Sequence, residues 1–547
     1  MIVFRHARLR LPLAQLVAEV TAYLPVRVDP SPGPAVADAP LRLLLAAGAL
    51  ECALADFWGA ERDAFGPGHQ AALRLSQAAA EAYLGLPQAV DPAAAWAGLK
   101  TWLPSATTLV TASRPEGFRY YALRPSAYVE PARQLAASIP PGPVLAIGLR
   151  TIGSSLAPVV AAVVKASGRA CELLTLRPRG RPEDRAYAAD AVVLRRVRHW
   201  PGQFAVVDEG PGLSGSSFGG AVRWLAGLGV SSHRVSLLPS WNPPASRLSH
   251  TVVAQEWDHW RKFPATEIQP DPAWGTDLSG GRWRGLLAHF RRVPVWPQEE
   301  RVKYLSRDRR WMYKFSGLGV ASAEAAYRSG CLARHGFSVG GAAEGEGWLR
   351  FPWLGLRPLG QGAFSPDHWS EWAGGYFAFL RSAFALGPPQ PPSPELREMT
   401  AANVAALTGL APPALPPESP PVRLDGRVMR FEWAIGGQGE FLKLDALDHG
   451  DDHFFPGPAD IAWDLAALEC EFGPAMAYAV QASYQRRSGD CHLSRRLPWH
   501  RVAYAAFRAA FADFAHELVG PPDRDGFLRQ RRRYLRYLRA ALVAAAS

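Results

Sequence analysis

The sequence is poor in cysteine and lysine and contains no long apolar run. Five cysteines stand among 547 residues, at positions 52, 171, 331, 470 and 491. Their number is odd and no pair is spaced as CxxC, which argues against a disulfide framework or a zinc ribbon. A reducing, cytoplasmic setting is expected. The longest clean apolar runs, such as Leu156–Val164, fall far short of the roughly 20 residues that a membrane-spanning helix needs. Gln15 and Glu19 break the N-terminal apolar stretch, so this segment is expected to be folded chain rather than a signal peptide. Charged residues make up 20% of the chain against 48% hydrophobic ones, a balance that excludes general disorder. No repeat recurs at a solenoid period.

Arginine, proline and glycine are abundant. Only six of the 60 basic residues are lysine, and the net charge is +11. That charge favours anionic ligands such as phosphates, or nucleic acid, without fixing a fold. Three patterns divide the chain. Residues 1–95 form a helical N-terminal segment, with apolar residues at helical spacing over Leu43–Phe57 and Gln70–Leu84 and a Pro/Gly-rich break at Asp29–Pro40. Residues 96–290 alternate short β-rich runs with helical ones, which predicts an α/β domain on a parallel sheet. Its strands are expected at Val144–Gly148, Ala170–Leu176, Phe204–Val207 and Val235–Leu238. Residues 296–547 begin with a strand, Trp311–Phe315, and a helix, Ala321–His335. Pro-rich loops follow at Gly387–Pro394 and Ala411–Pro421, and the tail is helical.

The most informative segment runs from Phe204 to Gly220. A buried strand ends in Asp208 and Glu209, a loop with Gly212, Ser214, Gly215, Ser216 and Ser217 follows, and a helix begins. Glycines let backbone N–H groups approach a phosphate, serines add hydroxyl donors, and a helix N-terminus adds a favourable dipole. Gly210 to Gly215 also matches the dinucleotide pattern GxGxxG. Two carboxylates directly before the loop would repel a pyrophosphate, and no acid follows the next strand to hold a ribose hydroxyl. Acids followed by a phosphate loop suit a ribose 5-phosphate instead. A second strand, loop and helix lies about 60 residues upstream, with Arg150, Thr151, Ser154 and Ser155 as charge and hydroxyl donors. Between the two, Arg177, Arg179, Arg181 and Arg185 lie on a Pro/Gly loop able to close over an anion or simply to face solvent. Pro115–Leu123 reads as an edge strand or lid, and Trp257 and Trp260 are candidates for stacking on a base.

These segments resemble the type I phosphoribosyltransferases over about 150 residues. The resemblance implies that Arg150, Thr151, Ser154 and Ser155 hold the pyrophosphate of phosphoribosyl pyrophosphate (PRPP). It implies that Gly212, Ser214, Gly215, Ser216 and Ser217 hold the 5-phosphate, and that Asp208 and Glu209 act at the ribose, with Mg2+ as cofactor. Displacement at the ribose C1 is the implied chemistry.

Residues 296–547 resemble the aminoglycoside-phosphotransferase-like kinases. The resemblance rests on Lys314 on the first strand, Glu324 in the helix after it, Asp445 at the end of Phe441–Asp445, and Asp460-Ile-Ala-Trp-Asp464-Leu-Ala. It implies a bilobal α+β domain in which Lys314 and Glu324 hold ATP. Glu432, Asp445 and Asp448 would bind metal, within a Asp448–His453 stretch that carries five potential ligands. Asp464 would brace the catalytic loop. The catalytic loop itself departs from the family: a gap-free overlay puts Arg427 where the base aspartate belongs, and arginine accepts no proton. Asp425 is the candidate catalytic acid if the backbone shifts by two residues.

Together these readings predict a transferase that carries out PRPP-dependent phosphoribosyl transfer on a nucleobase or related molecule, coupled to a Mg-ATP-binding kinase-like domain. The alternative is a nucleotide-sensing or interaction protein that binds PRPP and ATP without turnover. Nucleic-acid binding through the basic charge is the weaker alternative. Small phosphorylated molecules are the expected partners, with no membrane.

Overall fold

Val144–Leu149 and Gln203–Val207 are buried along their whole length, the mark of central strands in a sheet covered on both faces. The computed structural model describes residues 1–3, 8–24, 39–87, 90–266, 274–287, 290–297, 299–359, 364–447, 449–452 and 454–546. In it these two strands lie side by side in a five-stranded parallel sheet. Its order is Cys171–Leu176, Val144–Leu149, Gln203–Val207, Val235–Leu238 and Arg261–Lys262. Helices Val129–Ser138 and Gly153–Ala166 cover one face. Helices Ala191–Arg198, Ser216–Gly227 and Thr251–Trp257 cover the other. The chain leaves Val144–Leu149 toward one sheet edge and returns through Gln203–Val207 on the other side. The strand order therefore reverses between these two strands, and their C-terminal loops open at that switch point, where open α/β sheets bind ligands.

The N-terminal segment is helical at Leu13–Tyr23, Ala39–Trp58, Pro67–Tyr83 and Pro92–Lys100. It is not a layer apart. Arg8–Pro12 pairs antiparallel with Leu109–Ser113, and Val159 and Ala162 of Gly153–Ala166 share its core. Gly48 sits where a Cβ would come 2.1 Å from Ser155 Oγ, so only glycine permits that close approach. The Asp29–Pro40 break lies largely outside the described residues.

The last half opens with a five-stranded antiparallel sheet ordered Trp274–Asp277, Lys303–Ser306, Trp311–Phe315, Trp348–Pro352 and Ala342–Gly345. Helix Val320–Arg334 follows its third strand. A small sheet of Arg357–Pro358, Trp433–Ile435 and Phe441–Lys443 comes next, with helices Pro366–Ala383, Pro394–Thr408, Ala462–Phe472, Pro474–Ser488, Leu493–Leu518 and Asp523–Ala546. This is a two-lobed α+β unit, as expected. Phe315, Leu318 and Trp348 of its sheet lobe enter the same apolar cluster as Phe118, Leu41 and Val144, so the two halves share a core. No helix among the described residues is long and apolar enough to cross a membrane.

Candidate functional site

Strand Gln203–Val207 delivers Asp208 and Glu209 to the switch point. Asp208 Oδ1 accepts the Glu209 N–H at 2.8 Å, and the Tyr128 hydroxyl donates to the Asp208 carbonyl at 2.7 Å. Glu209 Oε2 accepts the Gly117 N–H at 2.6 Å. Pro115–Leu123 is therefore not an edge strand. Its Glu116–Arg119 turn of helix brings one N–H onto the site, a role that nothing in the sequence of Gly117 signals. Burial raises Asp208 to about 7, against the Glu209 N–H, Arg177 and Arg185. Burial, together with the charges of Asp208 and Glu116, raises Glu209 to about 8. Neither carboxylate makes an ion pair among the described residues. Both would gain from hydroxyl donors or a cation.

The loop after them closes on helix Ser216–Gly227. Gly212 and Gly215 adopt φ of +61° and +69°, and at Gly215 a Cβ would meet Val253 at 2.8 Å. The first-turn N–H groups of a helix have no partner within it. Ser214 and Ser216 both donate to the Pro182 carbonyl, at 3.1 and 2.6 Å. Pro182 is the tip of a hairpin formed by Arg179–Arg181 and Asp184–Ala186. The hairpin lies over the loop and engages its hydroxyls through backbone. Ser217 contributes its carbonyl to the Tyr187 hydroxyl at 2.9 Å.

The upstream loop departs from expectation. Arg150 is buried and ion-paired with Asp63. Thr151 accepts from Arg177 Nη1 at 3.3 Å. Ser154 and Ser155 are buried against the N-terminal helices, Ser154 facing Glu51 and Ser155 packing on Gly48. Arg150, Ser154 and Ser155 thus face no open pyrophosphate site, while Thr151 stays half-exposed. They tie the sheet to the N-terminal layer. Arg177 binds Asp56 and Arg179 binds Asp63. The four-arginine loop is thus split, with two arginines turned inward. Trp257 is fully buried, and its Nε1 donates to Asn242 and Pro243, so it stacks on no ligand.

In the last half, Lys314 pairs with Asp445, not with Glu324. Glu324 pairs with Arg423. Asp425 is fully buried beneath the Tyr376 hydroxyl at 2.7 Å and Lys443 Nζ at 3.0 Å. Enclosed there, it does not stand open to a substrate, as the catalytic role expected of it requires. Arg427 pairs with Glu432, and with Glu299 at 3.0 Å. Lys443 Nζ lies 3.5 Å from Glu432, and His449 Nε2 lies 3.3 Å from Asp445. Burial would raise Glu432, but Arg427, Lys443 and His449 outweigh it and hold it below the usual carboxylate range. Asp464 accepts the N–H groups of Asp425 and Gly426 at 3.0 and 2.9 Å, the bracing role expected of it. Asp448 and His453 lie outside the described residues. Glu432 and Asp445, expected to bind a divalent ion, are here each paired with protein cations, Glu432 with Arg427 and Lys443 and Asp445 with Lys314 and His449.

No family model matches the sequence, and no curated protein does. Among solved structures, a choline/ethanolamine kinase family protein from Mesorhizobium loti aligns with 44% of this chain and 90% of its own, at 15% identity and a TM-score of 0.29. The aminoglycoside phosphotransferase APH(2")-IIa in its gentamicin complex aligns with 49% and 97%, at 9% identity and a TM-score of 0.30. A Plasmodium vivax ethanolamine kinase aligns with 45% and 79%, at 11% identity and a TM-score of 0.28. At these values the likeness carries no argument about activity. The two-lobed arrangement stands on its own geometry.

Proposed function

We propose that the α/β half binds a ribose 5-phosphate group at the switch point and carries out phosphoribosyl-group chemistry there. One observation carries this reading. Asp208 and Glu209, raised to about 7 and 8, stand at the end of a central strand and run directly into a Gly/Ser loop and a helix N-terminus. Carboxylates that make no ion pair among the described residues suit the 2- and 3-hydroxyls of a ribose. The loop's backbone N–H groups suit its phosphate. The two carboxylates also fit a divalent ion, which when bound would neutralise phosphate charge beside the sugar. In bond-breaking at C1 the sugar gains positive charge, which the two carboxylates, when ionised, would stabilise.

The test is calorimetric titration of ribose 5-phosphate into the wild type and into Asp208→Asn/Glu209→Gln, whose folding is checked by circular dichroism. Saturable binding to the wild type and its loss in the folded variant support the reading. Equal binding to both would sink it.

A second reading concerns the kinase-like half. Arg427 at the expected base position, paired with Glu432 and Glu299, favours a module that does not transfer phosphoryl groups. Labelled ATP should give no transferred product with any acceptor offered, whether or not Mg-ATP binds. Labelled product formed in proportion to the protein would contradict it.

A further inference from the structure

Three arginines converge at the C-terminal ends of Val144–Leu149 and Cys171–Leu176, beside the acid-ended strand. They are Arg150, Arg177 and Arg179. An anion arriving at the switch point would be expected to recruit them. Two carboxylates from the N-terminal layer have reached them first. Asp63 pairs with Arg150, accepts the Arg177 backbone N–H at 2.9 Å and lies 3.2 Å from Arg179 Nη2. Asp56 accepts from Arg177 Nε at 3.0 Å and lies 3.6 Å from Arg150 Nε. Asp63 is not free to swing aside. Its N–H donates to the Ala188 carbonyl at 2.8 Å, and its own carbonyl accepts from Asp190 at 2.9 Å. Asp63, Arg150 and Arg177 are all buried.

We infer that Asp56 and Asp63 are specificity-determining residues that fill the place of a second anionic group, so that the site takes a ribose 5-phosphate bearing no diphosphate at C1. This rests on the function proposed above for residues 208–217. The chemistry is charge balance in a confined space. Arg177, held bidentately by Asp56, has spent the donors it would offer a phosphate, and the charge of Arg150 is met by Asp63. A diphosphate would have to displace two carboxylates, one of them fixed through its backbone, and leave them buried without partners. The anion-binding elements left at the switch point are then the Gly212–Ser217 loop and the hairpin residues Arg181 and Arg185 above it. The ligand class is a ribose 5-phosphate, free or carrying an uncharged substituent such as a base, rather than PRPP.

The experiment compares ribose 5-phosphate, PRPP and inorganic pyrophosphate as calorimetric ligands of the full chain. It is repeated on Asp56→Asn and on Asp56→Asn/Asp63→Asn. In the wild type, ribose 5-phosphate is expected to bind, PRPP to bind no more tightly, and pyrophosphate not to compete. In the variants, PRPP should gain about tenfold or more over ribose 5-phosphate. Asp56→Asn keeps the result decisive if the double variant fails to fold, because Asp56 lies nearer the surface and is not the backbone-tied carboxylate. If wild-type PRPP binds about tenfold more tightly than ribose 5-phosphate, the inference fails while the reading of residues 208–217 stands. If the Asp56→Asn selectivity is unchanged, the assignment to these carboxylates fails. If neither sugar phosphate binds, the underlying reading fails and takes the inference with it.

Discussion

Arg427 decides the character of the last half. Its guanidinium sits between Glu432 and Glu299, where it supplies the positive charge that the two buried acids require. Replacing it by methionine breaks the ion pair with Glu299 and removes one of the three cations around Glu432, leaving Lys443 and His449, at a cost of about 3 kcal/mol, which urea denaturation would measure. Asp208 and Glu209 give a pH dependence of the opposite kind. Their folded pKa values, about 7 and about 8, lie above those of unfolded carboxylates. The folded state therefore holds more protons between them. Their contribution to stability is complete below about pH 4 and is lost as pH rises through 7 and 8. The wild type should lose stability between pH 5 and 8.5 relative to Asp208→Asn/Glu209→Gln, and parallel melting curves would contradict this if flat. The two acids were legible in the sequence because an apolar strand running into DEG with glycines behind it has few other uses. Asp63 was not legible, since its partners are 87 and 114 residues away in the chain. Asp56 did leave a signal. Glu51 and Asp56 are acids within the apolar run Leu43–Phe57, and Glu51 is fully buried.

At the scale of elements, strand-to-helix turns fix the site. Gly148, next to last in its strand, lies against the start of helix Gly153–Ala166, and a Cβ there would come 2.3 Å from the Gly153 carbonyl. Gly148→Ala should therefore destabilise the protein by about 3 kcal/mol, measurable by urea melting. A stable Gly148→Ala protein would show that the helix can shift. Asp464 sets the loop at Asp425 and Gly426 through two backbone bonds. Most of these elements could be read from periodicity. Val235–Leu238 and Trp311–Phe315 fall where their apolar runs place them. The turn at Glu116–Arg119 could not be read, because Pro115-Glu-Gly-Phe carries no period and its importance lies in one backbone N–H.

The whole molecule is held by contacts that cross its sequence boundaries. The Ile2 N–H donates to Asn403 Oδ1 at 2.6 Å, and Asn403 returns a bond to the Ile2 carbonyl at 2.8 Å. Val3 is buried among residues of the helical lobe. Phe315, Leu318 and Trp348 are buried against the α/β half. A chain of residues 274–547 alone exposes these side chains and should lose about 5 kcal/mol of unfolding free energy relative to the same half in the full protein. Two independent thermal transitions in the full chain, with midpoints equal to those of the separate halves, would contradict a shared core. Composition could announce two or three units, but not that they share apolar surface. Apolar residues on a domain's outer face look the same in sequence as residues of its interior.

The most direct test of the central claim is a crystal structure of the full chain with ribose 5-phosphate. The account predicts the phosphate within hydrogen-bond reach of backbone N–H groups of Gly212–Ser217, the ribose hydroxyls on Asp208 and Glu209, and Arg150 still paired with Asp63. Ligand bound only in the cleft between the lobes of the last half, or an empty switch point at saturating concentration, would contradict it.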